Sequence, residues 1–186
     1  MSSRRLQLQA ERTIGRRTLV RVVRSDLQAY EGIPLAIGRR WLVLALMGNA
    51  IDLDGFLAVP LDTITELQPT FLNRSFYVQA LRRRRAVIPA LPSLDLDTTP
   101  GLLRSAQAWF SLLVIEREVV NPGSCKIGKL VRASSRQCEF RLVTTAARWE
   151  RKRFRCKTVD ITSVQFGGQY ENALADVAGA LEPGWR

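Results

Sequence analysis

"GKLVRASSRQCEFRLV" runs from residue 128 to residue 143, and its second half alternates in character. Cys138, Phe140 and Leu142 fall on one side of an extended chain, Glu139 and Arg141 on the other. A period of two implies a strand with one face buried. An earlier stretch, "GIPLAIGRRWLVLALM" (32–47), has the same outline of a leading glycine, an Arg-rich turn and an apolar run. From Gly32 to Leu44 is 12 positions, as it is from Gly128 to Phe140. Downstream, "LDTITEL" (61–67) answers "VDITSV" (159–164), so Gly32 to Ile64 spans 32 positions and Gly128 to Ile161 spans 33. One spacing held over that length, with one insertion, describes an internal repeat.

Each copy reads as short strands working outward from its glycine. "RTLVRVV" (17–23) and "SLLVIEREVV" (111–120) are β-branched runs that open the units. Breaks follow at "SDLQAYEG" (25–32) and at "NPGSCKIG" (121–128), the latter with a strong turn signal. Strands are expected at 33–37 with 41–47, and at 127–133 with 137–144. After "NAIDLDG" and "TAARWERK" come "FLAVPL" with "ITELQ" in the first copy, "FRCKTV" with "ITSVQF" in the second. Five short strands in so few residues predict a small antiparallel barrel. Pro60 cannot donate to a ladder, which places its strand at an edge or a bend.

A helical segment closes each copy, "NRSFYVQALRRRR" (73–85) and "GGQYENALADVAGAL" (167–181). Tyr77 with Leu81, and Tyr170 with Leu174, are four apart and share a helix face expected to pack on the barrel. The fold expected is thus mainly β: two tandem five-stranded barrels, each followed by a helix. Its parts are a basic arm (1–16), a first barrel and helix (17–85), a proline-containing linker (86–106), a second barrel and helix (107–181) and a tail (182–186). The linker ends in a short entry helix before Trp109.

Composition narrows the function classes. Basic residues number 28 against 17 acidic, a net charge of +11, and 24 of the 28 are arginine. Divided after Pro92, the halves carry 14 − 7 = +7 and 14 − 10 = +4, so no single tail holds the excess. Arginine forks onto phosphate oxygens and stacks on bases, which suits nucleic acid. The alternative is a GC-rich genome that encodes Arg in place of Lys. There is no histidine, hence no ordinary general base at neutral pH and no imidazole metal ligand. Cys125, Cys138 and Cys156 are widely spaced and lack the close pairs of a zinc site. Neither a phosphate-binding glycine loop nor a nucleophile elbow is present. Asp52 and Asp54, and Asp95 and Asp97, form D-x-D pairs that turn chemistry explains. Asp62 and Asp160 precede the last strand of each copy, where a turn-closing hydrogen bond is expected. No enzyme, cofactor or metal is expected. The chain carries no long apolar run and its N-terminus lacks a secretory pattern, so the expected location is the cytoplasm.

The best basic cluster is "RWERKRFRCK" (148–157), in which Arg148, Arg151, Lys152, Arg153, Arg155 and Lys157 surround Trp149 and Phe154. On a strand, Arg151, Arg153, Arg155 and Lys157 share one face. Arginines interleaved with aromatics can hold phosphates while bases stack, each stack worth about 1–3 kcal/mol. A charged outer face that discourages edge pairing is the plainer reading. Arg39 and Arg40, beside Trp41, form a smaller patch. Arg82, Arg83, Arg84 and Arg85 end a helix, where cations complement exposed carbonyls. Arg4, Arg5, Arg12, Arg16 and Arg17 make the arm basic.

The glycine-led second strand and the D-x-I ending, "DTI" (62–64) in the first copy, resemble the Sm-like (SH3-type) barrel. "VDITSVQFGGQYENAL" (159–174) is similar to the close of uncharacterised bacterial Sm-like proteins, whose final strand runs into a Y-x-x-A-L segment. "RRWLVLAL" followed by "GFLAVPLDTITEL" resembles the WYL domain of bacterial transcription regulators, itself an Sm-like barrel. Uridine-binding Sm proteins carry an Asp/Asn pair and an Arg-Gly turn. This chain has "GRRW" (38–41) and "SSRQ" (134–137), then "LDGF" (53–56) and "RKRF" (151–154), so that base-reading pocket does not carry over. The cluster at 148–157, with the arginines of the arm and of 82–85, implies a nucleic-acid-binding protein. A protein-interaction or scaffold module using a groove or strand edge is the alternative, and a WYL-like ligand sensor is a third.

Overall fold

The computed structural model describes residues 3–69 and 71–181, so the 182–186 tail lies outside the described residues. The chain divides into two compact units, Met1–Pro92 and Ser93–Arg186. The first runs α1 (Ser3–Arg16), β1 (Val20–Arg24), β2 (Leu27–Ile37), β3 (Trp41–Met47), β4 (Leu53–Pro60), a 3-10 turn (Leu61–Thr63), β5 (Ile64–Gln68) and α2 (Arg74–Arg83). The second repeats that series: α3 (Thr99–Trp109), β6 (Leu113–Glu116), β7 (Cys125–Ala133), β8 (Gln137–Val143), β9 (Trp149–Lys157), a 3-10 turn (Thr158–Asp160), β10 (Ser163–Phe166) and α4 (Gln169–Ala178). The architecture is mainly β.

The strands pair antiparallel, in the order β5-β1-β2-β3-β4 in the first unit and β10-β6-β7-β8-β9 in the second. Neither series joins its first strand to its last by hydrogen bonds, so the two expected five-stranded barrels are present as five-stranded antiparallel series that do not close. β4 and β9 end in three-residue 3-10 turns that lead directly into β5 and β10 on the opposite edge of each series; a turn that short reaches the far edge only because the strands curl.

Across the second, third and fourth strands the repeat keeps even its irregularities in place. Gly32 faces Leu46 and Gly128 faces Leu142; 32 to 128 and 46 to 142 are both steps of 96. The register shifts between Pro34 and Ala36 in one copy and between Leu130 and Arg132 in the other. A second shift, at Ala45/Met47, recurs at Arg141/Val143. The leading glycine has a physical cause in both. A Cβ on Gly32 would lie 2.5 Å from the Ala45 carbonyl oxygen, and one on Gly128 would lie 2.2 Å from that of Arg141. Bulged strands bend sharply, and here the bend brings backbone against backbone. Pro34, which lacks an N–H, sits at the first bulge.

Helices decide which strands are buried twice. In the first unit, Leu6 and Ala10 of α1 pack with Val22, Leu42, Leu44, Leu57 and Leu67. A separate cluster joins Leu19, Ile33 and Ala45 to Leu81 of α2. β3 therefore contributes to both clusters, and Trp41–Ala45 is a continuous buried run. β8 alternates only at its start, with Gln137 exposed, Cys138 buried and Glu139 half-buried, and Phe140–Val143 is again a continuous buried run.

Four local expectations change. Of the segment expected as a basic arm, Ser3–Arg16 is a helix docked on the sheet: Leu6, Ala10 and Thr13 fall on one face and are buried, and Gln9 donates to the Leu67 carbonyl at 2.6 Å. The break at 25–32 contracts to a tight turn at Ser25–Asp26, with Asp26 at φ +52. Tyr77 packs on the second cluster as expected, but Tyr170 is 52% exposed while its partner Leu174 is buried. Asp62 pairs with Arg40 at 3.7 Å, whereas the turn is closed by Thr63, whose hydroxyl donates to the Pro60 carbonyl at 2.8 Å.

Candidate functional site

β9 is the most charged strand of the chain. Arg151, Lys152, Arg153, Arg155 and Lys157 are exposed, while Phe154 is half-buried and Cys156 buried. Alternation against β8 sets this: Phe154 faces Phe140 and Cys156 faces Cys138, which turns the odd-numbered residues outward. One row across the sheet extends the face, since Arg155 lies opposite Glu139 and Glu139 opposite Arg132; Arg153 lies opposite Arg141, which is buried.

One carboxylate tempers the face. Glu139 accepts a hydrogen bond from Arg153 at 3.1 Å and lies 3.6 Å from Arg155 Nε. Burial pushes its carboxyl up, but the hydrogen bonds and charges of Arg153 and Arg155 outweigh that and hold it below the usual carboxylate value. Arg141 is buried because its guanidinium turns along β9 and donates to the carbonyls of Glu150, at 3.2 Å, and Arg151, closing the bulge there. Where the β7–β8 loop meets β9, a cleft of about 410 Å³ is lined by Arg132, Ser134, Arg136, Gln137, Glu139 and Arg155.

The aromatics do not join this surface as the interleaved pattern suggests. Trp149 packs with the Leu112, Val143 and Leu174 cluster, and its indole N–H donates to the Gly179 carbonyl at 3.3 Å. The Arg117 guanidinium lies over the Phe154 ring, 5.0 Å from its centre. Arg148 is exposed at the turn leading into β9.

Other sequence-level candidates fall elsewhere. Arg39 and Arg40 form a hairpin tip closed by Gly38 N–H to the Trp41 carbonyl at 2.9 Å. Trp41 is fully buried, and its Nε1 has no hydrogen-bond partner among the described residues, so it offers no stacking surface. Arg82 and Arg83 end α2; Arg84 donates to the Ala50 carbonyl, and Arg85 follows at φ +54. Arg82 and Arg85 also line a cavity of about 560 Å³ together with Arg16, Arg17 and Arg74. Position along the chain gave no sign of that convergence, because its arginines come from three separate segments.

Burial dominates the thiols. Cys138 and Cys156 are buried and face each other across β8 and β9, with the Cys156 thiol pushed up to about 11. Asp97 N–H donates to Asp95 Oδ1 at 3.0 Å, a turn contact, and among the described residues no three His, Cys, Asp or Glu side chains converge as a metal site. Among the described residues, no helix is long and apolar enough to cross a membrane.

No protein-family model matches this chain, and no curated protein or solved structure is significantly similar to it.

Proposed function

We propose that this is a non-enzymatic binding protein that holds the phosphate backbone of a nucleic acid along the outer face of β9. The observation that carries the reading is the row of exposed cations Arg151, Arg153, Arg155 and Lys157 on one strand. A strand rises about 3.3 Å per residue, so alternate cations recur about every 6.6 Å along a rigid line. With Trp149 packed against α4 and Phe154 covered by Arg117, recognition rests on phosphate and not on stacked bases. Binding is then salt-sensitive and tolerant of sequence. An Sm-like kinship belongs to the same reading, supported by the glycine-led second strand of both units and the short turn before each last strand.

The test is a triple replacement, Arg151→Glu, Arg153→Glu and Arg155→Glu, assayed by gel shift on single- and double-stranded oligonucleotides. Loss of the shifted band with an unchanged circular dichroism spectrum supports the assignment. Retained binding by the folded variant removes it.

A further inference from the structure

Five arginines converge on one cavity of the first unit, separate from the β9 face. Arg16 and Arg17 come from the end of α1, Arg74 from the start of α2, and Arg82 and Arg85 from its end. The floor between them is apolar, with Ile33 and Leu53 from the sheet and Val78 and Leu81 from α2. No carboxylate lines the cavity, and among the described residues none of the five arginines forms an ion pair. Its volume, about 560 Å³, lies within the range of small-molecule sites.

Helix-end electrostatics does not account for this charge. Each of the two helix C-termini contributes roughly half a negative charge, far short of five guanidiniums. Both helices also end in the same hydrogen-bonded motif. Arg17 N–H donates to the Ile14 carbonyl and Thr18 N–H to that of Thr13; Arg85 N–H donates to Arg82 and Ala86 N–H to Leu81. The left-handed residue of this motif is usually glycine. Here it is Arg17 at φ +48 and Arg85 at φ +54, and both line the cavity. An unfavourable backbone thus occurs at both helix ends, and each time the residue that adopts it is an arginine lining this cavity.

The second unit serves as an internal control. Its corresponding cavity, about 370 Å³, has Lys129 and Trp149 in the places of Ile33 and Leu53, each 96 residues on. Asp176 lines it, no arginine does, and α4 ends on Gly179 at φ +66. The scaffold therefore forms this cavity without arginines, and the cluster is a property of the first unit alone.

We infer that the cavity of the first unit binds a small phosphate ester with an apolar body, its phosphate held by Arg17, Arg74, Arg82 and Arg85 and its body on Ile33, Leu53 and Leu81. Guanidiniums fork onto phosphate oxygens, and the apolar floor selects an ester over the free ion. This inference is independent of the β9 reading.

The test is calorimetric titration of the full chain with octyl phosphate, inorganic pyrophosphate and octyl glucoside, repeated on the double variant Arg17→Gly, Arg85→Gly. Octyl phosphate is expected to bind at least about tenfold tighter than pyrophosphate, with octyl glucoside silent, because charge and apolar area must act together. The double variant should lose at least about tenfold in octyl phosphate affinity, while its melting temperature without ligand stays level or rises, since glycine accepts positive φ. Flotation with phosphatidylcholine vesicles doped with phosphatidic acid identifies the source of the ester: co-flotation lost in the variant assigns a membrane lipid, its absence a soluble metabolite. Pyrophosphate binding as tightly as octyl phosphate, or unchanged affinity in the folded double variant, would overturn the inference.

Discussion

Replacing Glu139 with Gln should tighten nucleic-acid binding, although the residue touches no proposed phosphate. Its carboxylate engages two cations at once, Arg153 at 3.1 Å and Arg155 at 3.6 Å, and its side chain is only 13% exposed. Glutamine has nearly the same shape and removes the charge, so two guanidiniums are released toward solvent on the binding face. Each additional phosphate neutralised steepens the slope of log K against log salt by about 0.7 on a single strand and about 0.9 on a duplex. In the wild type Glu139 offsets part of the charge these two cations offer phosphate, so full release steepens the slope by up to about 1.4 to 1.8. Between about 50 and 200 mM salt, a fourfold change, the variant should lose up to roughly 7- to 12-fold more affinity than the wild type. It should also bind more tightly at the lower salt. Fluorescence anisotropy with labelled single- and double-stranded oligonucleotides over that salt series measures both quantities. The fold should survive, since partly exposed ion pairs contribute about 0.2–1 kcal/mol each. A folded variant that binds more weakly than the wild type at the lower salt would show that freeing Arg153 and Arg155 brings no charge to phosphate, and the β9 assignment would fail with them.

Three further outcomes are expected. Gly128→Ala should destabilise the protein by about 1–3 kcal/mol or more, and Gly32→Ala should do the same, because each Cβ meets a strand carbonyl inside van der Waals contact; an unshifted urea midpoint in either would contradict the close approach. The stability that Glu139 contributes should depend on acid. Its folded carboxyl lies below the ordinary value of 4.5, so the contribution is fully present above that pH and fades as pH falls through the lowered value, a difference from Glu139→Gln that denaturation at stepped pH would reveal. Of the three thiols only Cys125 is exposed, so a disulfide reagent should label one cysteine in the native protein and three in denaturant; burial raises the Cys125 thiol as well, so its labelling should accelerate with rising pH. Early labelling of Cys138 or Cys156 would show that β8 and β9 open readily.

The duplicated unit was legible before any coordinates, because spacing is a local property. Gly32 and Gly128, with apolar residues 12 positions on and a D-containing turn about 20 later, specify bend, strand and turn through backbone sterics that act over a few residues. The same locality made the outward row Arg151, Arg153, Arg155 and Lys157 readable from alternation alone. Tertiary structure decided what depends on the path of the chain. It folded the arginine-rich Ser3–Arg16 into a helix, since Leu6 and Ala10 find partners on the sheet, and it carried the last strand of each unit through a 3-10 turn to pair with the first. It also turned Trp41 into the core and set Arg117 over Phe154, contacts that adjacency in sequence does not encode. Most of all it gathered Arg16, Arg17, Arg74, Arg82 and Arg85 around one apolar floor. Convergence of that kind is set by where two helices end in space, and no periodicity in the chain records it.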